Sequence, residues 1–138
     1  MTTTTRVYRF SSSHRLHCGS LSAEENNRIY GKCNNPFGHG HNYTLHVGVT
    51  GETDVISGRV ISPGALDRFV EERILRVFEH KDMNSDVPDF SGVPTTENLA
   101  ADVKRRLDEG WKERFGNAEL VRISIQETPR NRFELKIR

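Results

Sequence analysis

The chain has 138 residues, enough for one domain with a substantial core and too few for two ordinary domains. Lysine and arginine number 20 and aspartate and glutamate 19, so no overall field would attract nucleic acid or an anionic membrane. No apolar run approaches the ~20 residues needed to span a bilayer, and the opening Met-Thr-Thr-Thr-Thr lacks a secretory pattern. We read Cys18 and Cys33, the only cysteines, as free thiols of a reducing compartment. We therefore expect residues 1–138 to form one cytoplasmic domain that binds neither nucleic acid nor membrane.

Two strands are predicted in the first third of the chain. Over residues 6–14, apolar even-numbered positions alternate with polar neighbours, and the alternation places His14 on the same face as Phe10. Over residues 39–49, the odd-numbered positions form an apolar face that begins with His39 and His41. Residues two apart point to the same side of a strand, so these two histidines are expected to face the same way.

Two helices and further strands are predicted in the remainder. Ser62 followed by Pro63 is typical of a helix start, and Thr95 or Thr96 can cap a second helix. A short strand is expected at 59–62, and alternation predicts longer strands at 121–125 and 133–137. The order β-β-α-α-β-β predicts an α+β domain with an antiparallel sheet and two helices on one face. The last strand has no predicted cover, so its edge is available for pairing with another subunit.

The histidines His14, His39 and His41 are predicted to meet at one end of two adjacent strands. A single histidine on an apolar face is usually a hydrogen-bonded core residue, and that interpretation remains the alternative here. Three buried rings need partners, however, and a metal ion can serve all three at once. Three neutral histidines with an open fourth position are typical of catalytic zinc. We therefore predict zinc at these residues, whereas His17, beyond the strand, is expected to be solvated.

Three further positions carry candidate chemistry, each with more than one interpretation. Cys33 could be a fourth zinc ligand, a nucleophile or base, or an inert thiol. Glu79 and His80 could end a helix favourably or form a carboxylate-oriented imidazole for proton transfer. Glu127 shares the parity of the apolar positions of its strand. It could therefore mark a solvated strand end or accept hydrogen bonds from a bound heterocycle.

Five segments, in chain order, resemble one known family. They are FSSSHRL at 10–16, GKCNNPFGHGHNY at 31–43, EHKDMN at 79–84, PTTEN at 94–98 and QET at 126–128. Together they are similar to the 6-pyruvoyltetrahydropterin synthase family. The resemblance implies the tunnelling fold (T-fold), in which trimers form around a β-barrel and two trimers stack into a homo-hexamer.

The resemblance also implies a reaction and its residues. The reaction is the zinc-dependent conversion of 7,8-dihydroneopterin triphosphate to 6-pyruvoyltetrahydropterin with loss of triphosphate. The zinc ligands match His14, His39 and His41, and the catalytic cysteine matches Cys33. His80 matches the proton relay, preceded by Glu79 where the family usually has aspartate. The pterin anchor matches Glu127, and the pocket lining matches Thr95 and Thr96. Arg15 and Lys32 are candidate contacts of the triphosphate.

Two alternatives to this function remain. The related 6-carboxytetrahydropterin synthase uses the same substrate but releases acetaldehyde on the way to deazapurines, and such proteins tend to have fewer residues between the cysteine and the His-Gly-His. Here five residues lie between Cys33 and His39, which favours the pyruvoyl-forming type. A non-catalytic zinc-binding or pterin-binding module is the second alternative, although the presence of Cys33 and His80 argues against it.

Overall fold

A five-stranded sheet in the order β3-β1-β2-β4-β5 forms one layer of the computed structural model, which describes residues 1–137. Neighbouring strands are antiparallel, except that the short β3 runs parallel to β1. The predicted antiparallel arrangement of the long strands is therefore confirmed, and β5 lies at one edge of the sheet. The strands are β1 (Thr2–His14), β2 (His39–Gly51), β3 (Lys81–Asp82), β4 (Glu119–Thr128) and β5 (Asn131–Lys136).

The β1–β2 ladder sets the two faces of the sheet. All 13 residues of β1 pair with β2, from Thr2 opposite Gly51 to His14 opposite His39. Because side chains alternate along a strand, one face carries apolar residues into the core and the other carries mostly polar residues. The histidines of the predicted metal site lie on the core face, at the end of the ladder.

The helices cover that core face. They are α1 (Ala23–Tyr30), α2 (Pro63–Val70), α3 (Arg76–Phe78), α4 (Thr96–Asp108) and α5 (Trp111–Phe115). A π-helical turn, Glu71–Leu75, joins α2 to α3 in one continuous segment. The core between this segment, α4 and the sheet includes Leu45, Val47, Leu66, Phe69, Ile74, Phe78, Leu99, Val103, Leu107, Ile123 and Ile125. Within residues 1–137, no helix is both long enough and apolar enough to cross a membrane.

The predicted helix starts are present. The Ser62 hydroxyl accepts a hydrogen bond from Ala65 N, and Pro63 occupies the first turn of α2. Of the two candidate caps of the later helix, Thr95 is the one used, because its hydroxyl accepts from Asn98 N at 3.2 Å. The two principal helical segments therefore begin at the predicted caps.

Other local predictions were wrong or incomplete. Residues 59–62 form no strand and include a bend at 60 and 61, because β2 ends at Gly51 and a turn closed by a hydrogen bond from Asp54 N to Arg59 O (2.9 Å) leads to α2. The helices α1 and α5 and the two-residue β3 were not predicted. Of α1 only Asn26 is buried, so the helix lacks the apolar stripe by which helices are recognised.

The capping box of α1 provides a test of this part of the fold. Ser22 Oγ accepts from Glu25 N at 3.1 Å, and Glu25 Oε1 accepts from Ser22 N at 3.0 Å. We expect Ser22→Ala to destabilise α1 by about 1 kcal/mol, because the amide of Glu25 loses its acceptor. Hydrogen exchange should show faster exchange in α1 with α4 unchanged, and Ser91→Ala in an exposed loop is the control. Unchanged protection of α1 would contradict the cap's role.

Candidate metal centre and active site

Three histidines converge where β1 ends and β2 begins. His14 and His39 are directly opposite in the ladder, and His41 follows two residues later on the same face. Their candidate ligand nitrogens all lie within 4.8 Å of one another. His14 Nε2 is 3.0 Å from His39 Nε2, and the three rings meet edge to face.

The surroundings of these rings fit a metal ion. His14 is 1% exposed, and its Nδ1 donates to the Pro94 carbonyl at 2.8 Å. That bond places the proton on Nδ1, so Nε2 presents a lone pair to the other histidines. His41 Nε2 is buried and makes no hydrogen bond, although Glu127 Oε1 lies 3.0 Å away. A buried nitrogen without a hydrogen bond is costly unless another group, such as a metal ion, binds it.

Burial also favours the protonation state that metals require. It is the main cause that lowers the pKa of His14 and of His39 below the ordinary value for histidine, and the positive form of His41 lowers both further. Neutral imidazoles coordinate metals without first losing a proton. The three histidines therefore form a group that can hold a divalent metal.

A cavity of about 490 Å³ opens beside this group. Besides His14 and His41, it is lined by Cys33, Thr95, Thr96 and Glu127, and thus brings together six of the predicted site residues. The Thr96 hydroxyl is buried and has no hydrogen-bond partner within residues 1–137. Apolar side chains form much of the remaining wall, and some of them come from α1, which the sequence analysis missed; they include Leu16, Ile29, Tyr30 and Phe133.

Glu127 lies at an irregularity of the sheet. The pairing between β4 and β5 shifts register between Gln126 and Thr128, so Glu127 occupies a bulge. Its Oε1 lies 3.0 Å from His41 Nε2 and 3.6 Å from His14 Nε2. A bulge re-aims a side chain relative to a regular strand, and here the carboxylate lines the cavity close to the metal group.

Glu79 and His80, the predicted proton-relay pair, lie outside the cavity that Cys33 lines. His80 follows α3 with a φ of 57°, and its N–H donates to Ser11 O at 2.7 Å. Glu79 Oε1 lies 3.0 Å from His80 Nε2 and accepts from Ser11 N at 3.3 Å. The His80 side chain is 81% exposed and lines a second, open cavity of about 320 Å³. Of the residues around the two cavities, His41 is the one that lines both.

His17 and the two cysteines lie outside the metal group. His17 is half-buried rather than fully solvated, because its Nδ1 accepts a hydrogen bond from Asn34 Nδ2 at 3.0 Å. Cys18 and Cys33 are both free thiols of intermediate exposure, which agrees with the expectation that they do not form a disulfide.

Comparison with known proteins assigns this arrangement to a family. The family model described as 6-pyruvoyl tetrahydropterin synthase matches residues 3–137. The chain belongs to the 6-pyruvoyl tetrahydropterin synthase family. Two relatives named 6-pyruvoyl tetrahydrobiopterin synthase illustrate the similarity. The Homo sapiens protein is 42% identical over 123 residues, which cover 88% of this chain and 82% of that protein. The Poecilia reticulata protein is 52% identical over 97 residues, which cover 70% of this chain and 66% of that protein.

Solved structures of the 6-pyruvoyl tetrahydropterin synthase family share the fold. The Caenorhabditis elegans 6-pyruvoyl tetrahydropterin synthase superposes with a TM-score of 0.87 at 38% identity, covering 98% of this chain and 94% of that one. The α+β arrangement described above is therefore the T-fold, as the sequence predicted.

The metal group leads to a quantitative expectation. We expect the purified protein to bind about one divalent metal ion per chain, since the three imidazoles converge on a single site with one position left open. His14→Ala, His39→Ala and His41→Ala should each lose most of that metal, as measured by elemental analysis of desalted protein. His46→Ala is the matched control, because His46 lies on the same strand but on the opposite face. Full metal content in all three variants would exclude the site.

Proposed function

We propose that this protein converts 7,8-dihydroneopterin triphosphate to 6-pyruvoyltetrahydropterin with elimination of triphosphate, in a zinc-dependent reaction. The observation that carries the proposal is the three-histidine group beside a cavity that contains Cys33, Thr96 and Glu127. Membership of the family and the names of the relatives support the same activity. We place the reaction in the cytoplasm, where Cys18 and Cys33 would stay reduced.

The histidines would hold the zinc ion with nitrogen ligands from His14, His39 and His41. This set is typical of catalytic zinc because it leaves a fourth position for a water or a substrate. When bound there, zinc supplies Lewis-acid stabilisation of negative charge that develops on the side-chain oxygens of the substrate.

The cavity would recognise the pterin ring. The Glu127 carboxylate would accept hydrogen bonds from the 2-amino group and an adjacent ring N–H, which form a charge-assisted pair. The Thr96 hydroxyl has no hydrogen-bond partner among residues 1–137 and can bond a ring heteroatom, while Thr95 already caps α4 and can still donate its own proton. Apolar neighbours such as Leu16 and Phe133 would cover the ring and exclude water.

Two groups would move protons. Cys33, as thiolate, would take the proton from the side-chain carbon next to the ring. His80, oriented by Glu79, would exchange a proton with the substrate from the other side. The carbon–oxygen bond to the triphosphate breaks during the rearrangement, and no external oxidant or reductant is needed, because oxidation of the side chain accompanies reduction of the ring.

Glu79 would take the role of the usual aspartate with a side chain that is longer by one methylene group. Its carboxylate is held by the backbone N–H of Ser11 and lies 3.0 Å from His80 Nε2. The longer side chain therefore contacts the imidazole while its position is fixed by β1. This arrangement supports an orienting role for Glu79.

We propose a homo-hexamer, a dimer of trimers, in which adjacent subunits complete the site. In one chain, Cys33 and His80 line different cavities, so an intact site would need His80 from an adjacent subunit. Two further features support association. The edge strand β5 is free to pair, and the apolar side chains of Phe37 and Ile29, near the Cys33 segment, are 95% and 55% exposed.

The decisive experiment for the proposed function is an assay of the products. Incubated with dihydroneopterin triphosphate, the zinc-loaded protein should release triphosphate and form 6-pyruvoyltetrahydropterin, with little acetaldehyde. Chromatography of the pterins and an assay for acetaldehyde distinguish the outcomes. Stoichiometric acetaldehyde with a carboxylated pterin would select the carboxy-forming enzyme. Unchanged substrate, despite bound zinc, would favour a binding module, unless Glu79→Asp restores turnover.

Mixing variants tests whether subunits share the site. Cys33→Ala and His80→Ala should each reduce kcat by about a hundredfold or more, since each removes a proton-transfer group. After the two variants are unfolded and refolded together, mixed oligomers should regain part of the activity, because some sites combine an intact Cys33 with an intact His80. A mixture of Cys33→Ala with Cys33→Ser is the control and should stay inactive. No recovery in the first mixture would contradict the shared site.

A further inference from the structure

The turn that carries Cys33 is tied to the residues that follow β1. Leu16 N donates to Cys33 O at 2.8 Å, and Asn34 Nδ2 donates to Leu16 O at 2.7 Å. The second hydrogen of Asn34 Nδ2 points to His17 Nδ1 at 3.0 Å, and Arg15 Nε donates to Asn34 O at 3.2 Å. Both backbone polar groups of Leu16 are therefore satisfied by the Cys33 turn.

These contacts determine where the Cys33 thiol lies relative to the metal group. Leu16 is two residues beyond His14, and two residues of chain reach at most about 7 Å. Leu16, Cys33 and His14 all line the cavity described above. The turn itself is the short 3-10 helix Gly31–Asn34, and the loop that follows it up to β2 is largely exposed. The bonds from Cys33 and Asn34 to residues 15–17 thus fix where the thiol stands.

Arg15 is in turn held by Asn84. Asn84 Oδ1 accepts from Arg15 N at 2.7 Å, and Asn84 Nδ2 donates to Arg15 O at 2.9 Å. The Arg15 side chain adds a further link, because its Nε donates to Asn34 O. A segment that is anchored in this way can act as a fixed reference for the Cys33 turn.

We propose that Asn34 is a positioning residue for Cys33. The side-chain amide of Asn34 holds the turn that carries the thiol against Leu16 and His17, at a fixed distance from the metal histidines. The proposal rests on the role of Cys33 in the proposed function. Asn34 acts through its neighbours and does not itself take part in proton transfer. An amide suits the position because one nitrogen donates two hydrogen bonds at once. Aspartate has nearly the same shape but no donor, and its carboxylate would face the Leu16 carbonyl oxygen.

The next residue provides a matched control. Asn35 is exposed, and its Oδ1 accepts from Phe37 N at 3.1 Å within the loop that precedes β2. Its side chain therefore stabilises the adjacent turn through the same functional group, but the bond is directed away from residues 15–17. A general effect of removing an asparagine from this loop should appear in both variants. A positioning effect should appear only in the Asn34 variants.

The test compares Asn34→Ala and Asn34→Asp with Asn35→Ala in zinc-loaded protein. All variants carry Cys18→Ser, so that iodoacetamide reports on the thiol of Cys33 alone. We expect the Asn34 variants to lower kcat by about tenfold to a hundredfold with KM within about twofold, because small displacements of a reacting group are costly. The rate of alkylation of Cys33 should change, while metal content and the melting temperature stay close to the parent values. Asn35→Ala should match the parent in all five measurements.

Several outcomes would overturn the positioning role. They are parental kcat and alkylation rates in both Asn34 variants, equal losses in Asn34→Ala and Asn35→Ala, or a fall in kcat that lost metal fully explains. If Asn34→Ala does not fold, Asn34→Asp decides, since it preserves the shape of the side chain. Full turnover by Cys33→Ala would instead overturn the proposed function. The alkylation rates would then still report whether Asn34 holds the thiol.

Discussion

The antiparallel register of β1 against β2 is the constraint on which the rest of the structure depends. It places His14 opposite His39 and, on the same face, Phe10 opposite Tyr43, whose rings stack at a centroid distance of 5.2 Å. A slip of one residue would turn every side chain of one strand to the other face, so core packing and histidine convergence would be lost together. The apolar packing that stabilises the domain therefore also specifies the geometry of the metal group.

The longer strands and helices could be predicted because the spacing of their apolar residues along the sequence matches the side that is buried. The long strands alternate and α4 carries an apolar stripe, while Ser62 and Thr95 mark helix starts through a side-chain oxygen at the cap. The capping box of α1 is also visible in the sequence, at Ser22 and Glu25, but without a buried apolar face it gave no periodic signal. The strand β3 consists of two residues that pair with β1, and no local pattern encodes such a tertiary contact.

The parts of the candidate site that could be predicted are those that a single strand or a single motif determines. The shared face of His39 and His41 follows from the period of a strand, whereas the motifs gave the order of Cys33, His80 and Glu127 without their distances. The structure places His80 beside Ser11, at the β3 side of the sheet, and so in a different cavity from Cys33. The hydrogen bond from His14 to Pro94 spans 80 residues of sequence, and only the packed fold brings these two groups together.

That hydrogen bond makes the metal group and the start of α4 thermodynamically linked. Pro94 immediately precedes Thr95, the cap of α4, so the proton that His14 holds on Nδ1 also anchors the segment from which Thr95 and Thr96 reach the cavity. Any ion that binds His14 Nε2 favours this tautomer and hence the docked form of the segment. By reciprocity, a molecule in the cavity that favours the docked segment raises the affinity for the ion by the same factor. An ion at His14 Nε2 and a molecule that contacts Thr95 or Thr96 would therefore favour each other's binding.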